Sequence, residues 1–238
     1  MLSRASPQSS EHDAVVIGAS GTIGTAVADE LESRQAFRRV VRVGRRSPCM
    51  ADLADEASVA RAAADLGAGG VCAGLVFIAT GYLHDMQAGP EKALGQIDPA
   101  QMVRAFAVNT IGPALVLKHF EKLLPRSGRA IVAALSARVG SIGDNGLGGW
   151  YSYRASKAAL NQIVRTAAIE LRRKRPDSIC VALHPGTVAS PLSAPFSRNA
   201  NRIQTPADAA PRLVDVLEGL RPAHSGGFFD YEGEPVPW

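Results

Sequence analysis

The sequence predicts a single α/β domain of Rossmann type: a doubly wound parallel sheet of about seven strands with helices on both faces. Three observations predict it. Short apolar runs alternate with longer amphipathic stretches along the chain. The apolar runs are nearly continuous, as strands covered on both faces must be. The first run passes through a glycine-rich turn straight into a helical pattern, the opening expected of a doubly wound sheet.

The elements follow in order. Residues 14–17 are apolar and too short for a helix, and they read as the first strand. After the glycines at 18–24, residues 23–33 carry apolar side chains at helical spacing. Residues 40–43 form the second strand, 58–66 an alanine-rich helix and 75–79 the third strand. The stretch 99–124 is helical, opens on a proline and is interrupted by Pro113. Residues 131–135 form a fourth strand, 152–173 a long helix, and 179–183 a fifth strand. A helix at 206–220 and a last strand near 228–229 complete the pattern. Arg172, Arg173, Lys174 and Arg175 end the long helix, where cations suit the dipole; they read as a solvated helix end. Glycine- and proline-rich loops at 140–149 and 185–201 each follow a strand. With no internal repeat or linker, residues 13–238 read as one domain and the polar residues 1–12 as a loose tail.

Composition narrows the function. Among the 238 residues, 46% are apolar and 20% charged, an ordinary globular balance. A net charge of +4 suits a pocket for an anionic ligand but is too slight for a nucleic-acid binder. Cys49, Cys72 and Cys180 lie far apart, which argues against a disulfide scaffold or zinc site and for a reducing, cytoplasmic setting. The five histidines lack ligand spacing, so no metal is expected. No apolar run approaches the roughly 20 residues of a membrane helix, and the opening residues lack the core of a secretory signal.

The turn Gly18, Ala19, Ser20, Gly21, Thr22, Ile23, Gly24 lets the backbone bend tightly in front of a helix N-terminus, whose free N–H groups attract a pyrophosphate. On its own it is equally a glycine-rich connection; its place after the first strand points to a dinucleotide. The second strand ends on Gly44, Arg45, Arg46 and Ser47. An NAD-preferring fold presents an acid here, whereas arginine suits the 2′-phosphate of NADP(H). Arg45 is the first candidate, with Arg46 and Ser47 as helpers. Asp52, followed by Leu53, either meets the adenine amino group or caps the next helix.

Tyr153 and Lys157 stand four apart on a predicted helix and share a face. A phenol titrates near pH 10, and a neighbouring ammonium lowers that value, so such a tyrosine can exchange a proton with a carbonyl or alcohol oxygen. The spacing alone also describes a buried tyrosine beside a snorkelling lysine. Pro113, four residues after Asn109, has no N–H to give the Asn109 carbonyl, which makes that carbonyl a water site at a kink.

Taken together, these features and the stretches 136–141, 143–145, 149–157, 184–188 and 228–231 resemble the short-chain dehydrogenase/reductase family from about residue 12 onward. Within it they are most similar to the C-factor-like and sniffer-like carbonyl reductases. The resemblance implies an NADP(H)-dependent oxidoreductase acting on a small-molecule carbonyl or alcohol, with no nucleic-acid or membrane partner. It implies Tyr153 as general acid/base, Lys157 holding the nicotinamide ribose, a serine on the substrate oxygen, and Asn109 holding a relay water. Ala79, Thr80 and Gly81 would pass the adenosine side. Pro185, Gly186, Thr187, Val188 and Ser190 would lie beside the nicotinamide. A homo-oligomer, dimer or tetramer, would be built on the helices holding Asn109 and Tyr153.

The chain departs from the family pattern at three places. Thr22 replaces the middle glycine of the turn, and the third strand ends Ile78, Ala79, Thr80, Gly81 where the family has Asn-Asn-Ala-Gly, so the bracing asparagine side chain is missing. The serine is expected three residues before Gly140, where Ala137 stands; Ser136 beside it is the candidate, with Ser141 in reserve. These departures keep a second expectation open, a non-catalytic dinucleotide-binding regulatory or signalling protein. Loops 83–95 and 191–201 should decide the substrate, with Lys92 and Arg198 their obvious charges. His84 reads as a loop residue and His184 as packed rather than catalytic.

Overall fold

The computed structural model describes residues 11–86, 88–199 and 203–238, without the side chains of 197–199; most of the expected tail and the Arg198 side chain lie outside the described residues. In chain order the strands are β1 (Asp13–Ile17), β2 (Val40–Val43), β3 (Ala73–Ile78), β4 (Ala130–Leu135), β5 (Ser178–His184), β6 (Thr187–Val188), β7 (Ile203–Gln204) and β8 (Phe228–Asp230). Six of them form one wholly parallel sheet in the order β2-β1-β3-β4-β5-β8, while β6 and β7 make a separate short pair. The six apolar runs of the sequence are these six strands. The expected seventh is reduced to one parallel bridge between Val43 and Cys49 beyond β2. The five residues between them are too few for the crossover helix that a parallel neighbour needs.

The helices are α1 (Thr22–Arg34), α2 (Glu56–Ala68), α3 (Pro99–Phe106), α4 (Gly112–Phe120), α5 (Tyr151–Lys174) and α6 (Pro206–Gly219). Side chains alternate along each strand, so neighbouring residues enter different cores. Ala14 and Val16 pack with Val27 and Leu31 of α1 and Leu213 of α6. Val15 and Ile17 pack on the other face with Val59 of α2, Val116 and Phe120 of α4, and Leu160 and Val164 of α5. Both faces of β1 are therefore apolar, which is why its run shows no polar alternation. Each fully buried large side chain contributes about 1.5–3 kcal/mol relative to exposure.

Three of the six helix starts are capped as their sequences dictate. Asp55 caps α2 and Asp98 caps α3, each accepting a backbone N–H, and Thr205 forms a capping box with Asp208 on α6. The cap of α2 is thus Asp55 and not Asp52, whose carboxylate accepts the Ala54 N–H. Pro99–Leu123 is one helical stretch in which a π turn, Ala107–Ile111, separates α3 from α4. By length and composition alone it could cross a membrane, at a mean hydropathy of 1.2, so one apolar stretch does reach that length. In the fold it is a core helix: Ala105, Val116, Phe120 and Leu123 are buried in the domain.

The chain steps from β1 out to β2, then returns to β3 on the other side of β1. That reversal opens a crevice at the C-terminal ends of β1 and β3, where open α/β sheets bind their ligands.

Candidate active site

The glycine turn lies in this crevice. The Gly18 N–H donates to Val43 O (2.8 Å), and the Ala79 N–H donates to Ile17 O (2.8 Å), so three strand ends meet there. Gly18 has φ of 80°, which favours glycine. A Cβ on Gly24 would overlap the Gly18 carbonyl, and only a bare glycine lets α1 approach this closely. Gly21 takes the cap position of α1 without a side-chain acceptor. The N–H groups of Thr22 and Ile23 in that first turn therefore have no hydrogen-bond partner among the described residues. Thr22 is the first residue of α1. Thr80 Oγ1 is buried there with no hydrogen-bond partner among the described residues.

At the end of β2, Arg42 is neutralised by Asp29 and Glu32, whereas Arg45 and Arg46 are exposed and form no ion pair among the described residues. The hydroxyls of Ser47 and Ser20 both approach Gly44, at 3.1 and 3.4 Å from where a Cβ would stand. Two hydroxyls thus meet at one bare backbone position, with two exposed arginines next to it along the chain. Leu53 departs from the expectation: its side chain is buried against Gly112 and belongs to the core. Gly81 lies beside Asn109 and Leu192.

The second half of the site is built on α5. Lys157 is 2% exposed, and its Nζ donates to Leu135 O at the end of β4 (2.7 Å). Gly140 makes this possible, because a Cβ there would lie 2.7 Å from Lys157 Cβ. The ammonium sits 5.9 Å from the centre of the Tyr153 ring. The expected lowering of the tyrosine does not appear. Burial pushes the Tyr153 phenol up to about 12 and pulls the Lys157 ammonium down to about 7. Both groups have lost more hydration than each regains from the other.

Asn109 is buried in the π turn, and its side chain clamps the loop after β3. Its Nδ2 donates to Tyr82 O (2.8 Å) and Ser156 Oγ (3.0 Å), and the Tyr82 N–H donates to its Oδ1 (2.7 Å). Thr110 Oγ1 donates to Ser156 O (2.8 Å), so the turn is tied to α5 one turn beyond Tyr153. The disturbance expected at Pro113 is this π turn, in which the Gly112 N–H reaches back to Ala107 O.

The serine candidates part company. Ser136 is 3% exposed and its Oγ donates to Asn161 Oδ1 (2.6 Å), which commits its proton inside the domain. The β4–β5 pairing continues without a slip through Leu135 and Leu183, so no register change presents Ser136 outward. Ala137 follows it. Ser141 Oγ accepts the Asp144 N–H (3.1 Å), and its own proton has no acceptor among the described residues.

Three features were not read from the sequence. Phe196 packs edge-on to Trp150 (5.5 Å) and to His84 (5.2 Å), and Trp150 packs edge-on to Tyr153 (6.2 Å). His84 Nε2 also lies 3.1 Å from Leu192 O, so it links the two substrate loops. Glu91 is buried against the start of α5. A lone aromatic or a lone acid in a polar loop carries no periodicity that would reveal it. His184 packs against Tyr231, as expected, and burial, helped by Arg138, pulls it down to about 4, so it is neutral. Ser190 shares a short turn with Ser193 beside Pro185, Gly186, Thr187 and Val188.

Known proteins resemble this chain in sequence and in fold. The chain is 34% identical over 188 residues to 1-hydroxy-2-glutathionyl-2-methyl-3-butene dehydrogenase of Rhodococcus sp., covering 79% of this chain and 78% of that one. It is 40% identical over 147 residues to the C-signal of Myxococcus xanthus, covering 61% of this chain and 84% of that protein. The fold matches an NADPH-bound carbonyl reductase from chicken fatty liver with a TM-score of 0.84 at 24% identity, over 98% of this chain and 96% of that one. The family profile described as Enoyl-(Acyl carrier protein) reductase matches residues 18–215, from the first glycine of the turn to α6. That span takes in both halves of the crevice, and the chain is an oxidoreductase-type member of the short-chain dehydrogenase/reductase family.

Proposed function

We propose that the protein is an NADP(H)-dependent carbonyl reductase, or in reverse a dehydrogenase of the corresponding alcohol, with Tyr153 as general acid/base. The observation that carries this reading is the Tyr153–Lys157 pair, one helical turn apart, with Lys157 buried and anchored on Leu135 O beside the crevice. A dinucleotide fits the residues present. The free amides of Thr22 and Ile23, the bare Gly24 and the orphaned Thr80 hydroxyl suit a diphosphate and its ribose. Arg45, Arg46, Ser20 and Ser47 would hold a 2′-phosphate, and Asp52 would stand near the adenine. Ala79 and Gly81 would flank the adenosine side; Pro185, Gly186, Thr187, Val188 and Ser190 would flank the nicotinamide. When bound, the nicotinamide supplies or accepts the hydride.

The chain's own residues then handle the proton. Tyr153 keeps its proton at neutral pH and donates it to the carbonyl oxygen during reduction. Lys157 would hold the ribose hydroxyls and, while protonated, would offer the phenolate a positive charge. Asn109 keeps the loop after β3 and α5 in register, with its carbonyl as the relay-water site. The role of holding the substrate oxygen passes from Ser136 to Ser141, whose proton is uncommitted. The ring wall of His84, Phe196 and Trp150 suits an uncharged or weakly polar carbonyl compound. Exposed Val103, Ile111 and Ile169 on the helices of Asn109 and Tyr153 support a homo-oligomer, and three free cysteines support a reducing cytoplasm.

Two results test this reading. Replacing Arg45 and Arg46 by alanine should weaken NADPH binding about 10–100-fold and leave NADH binding within a factor of about two. Equal loss of both would remove the 2′-phosphate assignment. In the oxidation direction the phenolate is required, and below a pKa of about 12 its fraction rises with pH. Initial rates of alcohol oxidation should therefore climb between pH 7 and 9, and a flat profile would contradict the assignment of Tyr153 as base.

One observation favours a second reading, a non-catalytic dinucleotide-binding regulatory or signalling protein: β4 is followed by the withdrawn Ser136 and by Ala137. Tight NADPH binding without turnover of aldehydes, ketones or diketones would favour it.

A further inference from the structure

We propose that Glu91 is a positioning residue that sets the entry of α5 and so the placement of Trp150 and Tyr153. The proposal deepens the reductase reading, on which only its kinetic arm rests.

Glu91 lies on the loop between β3 and α3, is 2% exposed, and forms no ion pair among the described residues. A buried carboxylate without a cation is costly unless hydrogen bonds replace its water. All of its bonds go to one place. Oε1 accepts the Ser152 hydroxyl in a short contact, and Oε2 accepts the Ser152 N–H (3.2 Å). Its main-chain oxygen accepts the Trp150 N–H. A Cβ on Gly149 would stand 3.4 Å from that same oxygen. One residue thus grips positions 150 and 152, on both sides of the junction between loop and helix, and its carbonyl lies close to Gly149.

The helix needs this grip. Asp55, Asp98 and Thr205 cap α2, α3 and α6 from their own sequences. α5 has Trp150 at its cap, no side-chain cap bond and no acid in its first turn. Glu91 supplies both the acceptor and the negative charge from another segment of the chain. Trp150 is also held in the left-handed region (φ 52°), after Gly148 (φ 66°) and Gly149 (φ 65°). A tryptophan adopts that conformation only where its surroundings compel it. The Glu91 carbonyl on its amide, and Tyr153 and Phe196 against its indole, are those surroundings. Tyr153 follows within the same first turn, so a change in the helix entry shifts the phenol relative to its substrate. Catalysis is sensitive to displacements well under an ångström.

A cap that only stabilised the fold would lower the melting temperature and leave kcat and the Trp150 surroundings unchanged. The chain has two tryptophans, Trp150 and Trp238. In a Trp238→Phe background, Trp150 emission reports the junction without any need for turnover. The expected result for Glu91→Ala is a red-shifted Trp150 emission, a kcat lower by about tenfold or more, and a Kd for NADPH within about twofold of the parent. Ser152→Ala should move emission and kcat in the same direction by less. Unchanged emission and kcat in Glu91→Ala would overturn the proposal. So would a kcat loss matched by an equal weakening of NADPH binding, which is general loosening. If Glu91→Ala does not fold, Ser152→Ala decides, and parental emission and kcat there overturn the proposal. If the parent reduces no carbonyl, the reductase reading fails, and emission with NADPH binding still judges the role of Glu91.

Discussion

Replacing Lys157 by methionine is expected to abolish turnover and, in the same protein, to raise its stability. Lys157 is 2% exposed, with Leu135 O as its hydrogen-bond partner and the Tyr153 ring nearby. Burial lowers it from 10.5 to about 7. A base with a depressed folded pKa destabilises the fold where both states are protonated, below about pH 7. The penalty fades as pH rises toward 10.5, where both states are neutral, so stability linked to this group increases across that window. Methionine fills similar space without the charge, although it leaves Leu135 O without its donor. The expected gain at pH 7 is on the order of 1–3 kcal/mol, a rise in Tm of roughly 3–8 °C. That gain should vanish near pH 10.5. Turnover should fall about 10³-fold or more, because the charge beside Tyr153 is gone. Thermal melts at several pH values and steady-state rates check both halves. An active variant, or one less stable at pH 7, would mean that Lys157 is a structural prop rather than strained machinery.

The second large effect is steric. In Gly24→Ala the new Cβ would overlap the Gly18 carbonyl oxygen, and would lie 2.8 Å from its carbon and 3.1 Å from Ala19 Cα. Every obstructing atom is backbone, so no side chain can swing aside. α1 must back away from the turn, and the amides of Thr22 and Ile23 move with it. NADPH affinity should drop about 100-fold or more, and stability by about 2–4 kcal/mol. Gly95→Ala is the control, since a Cβ there meets nothing within 4 Å, and both properties should stay near those of the parent. Calorimetric NADPH titration and a denaturant melt distinguish the two outcomes. Parental affinity in Gly24→Ala would show that the turn does not contact the cofactor.

Much of this was legible in the chain because local and global signals agree. Residues 14–17 read as a buried strand because Val15 and Val16 enter opposite cores. The glycine turn, the Tyr153–Lys157 spacing and the Asn109–Pro113 spacing each record a backbone or helix-face constraint that a linear pattern carries. What the sequence hid depends on partners distant along the chain. The withdrawal of Ser136 is decided by Asn161. The core role of Leu53 is decided by Gly112 on another helix. The pKa of Tyr153 is decided by how much water the folded site excludes, and proximity to Lys157 suggested the opposite sign. The sheet holds six strands where about seven were expected, and beyond β2 the short link from Val43 to Cys49 leaves a single parallel bridge.

The measurement closest to the central claim pairs cofactor binding with turnover in Tyr153→Phe. Parent and variant are titrated with NADPH and NADH, and nicotinamide absorbance is followed with a panel of aldehydes, ketones and diketones. The predicted result is a strong preference for NADPH in both proteins, turnover by the parent, and loss of about 10³-fold or more in the variant with NADPH binding unchanged. Failure of the parent to bind either nucleotide, or undiminished turnover by Tyr153→Phe, would contradict the account.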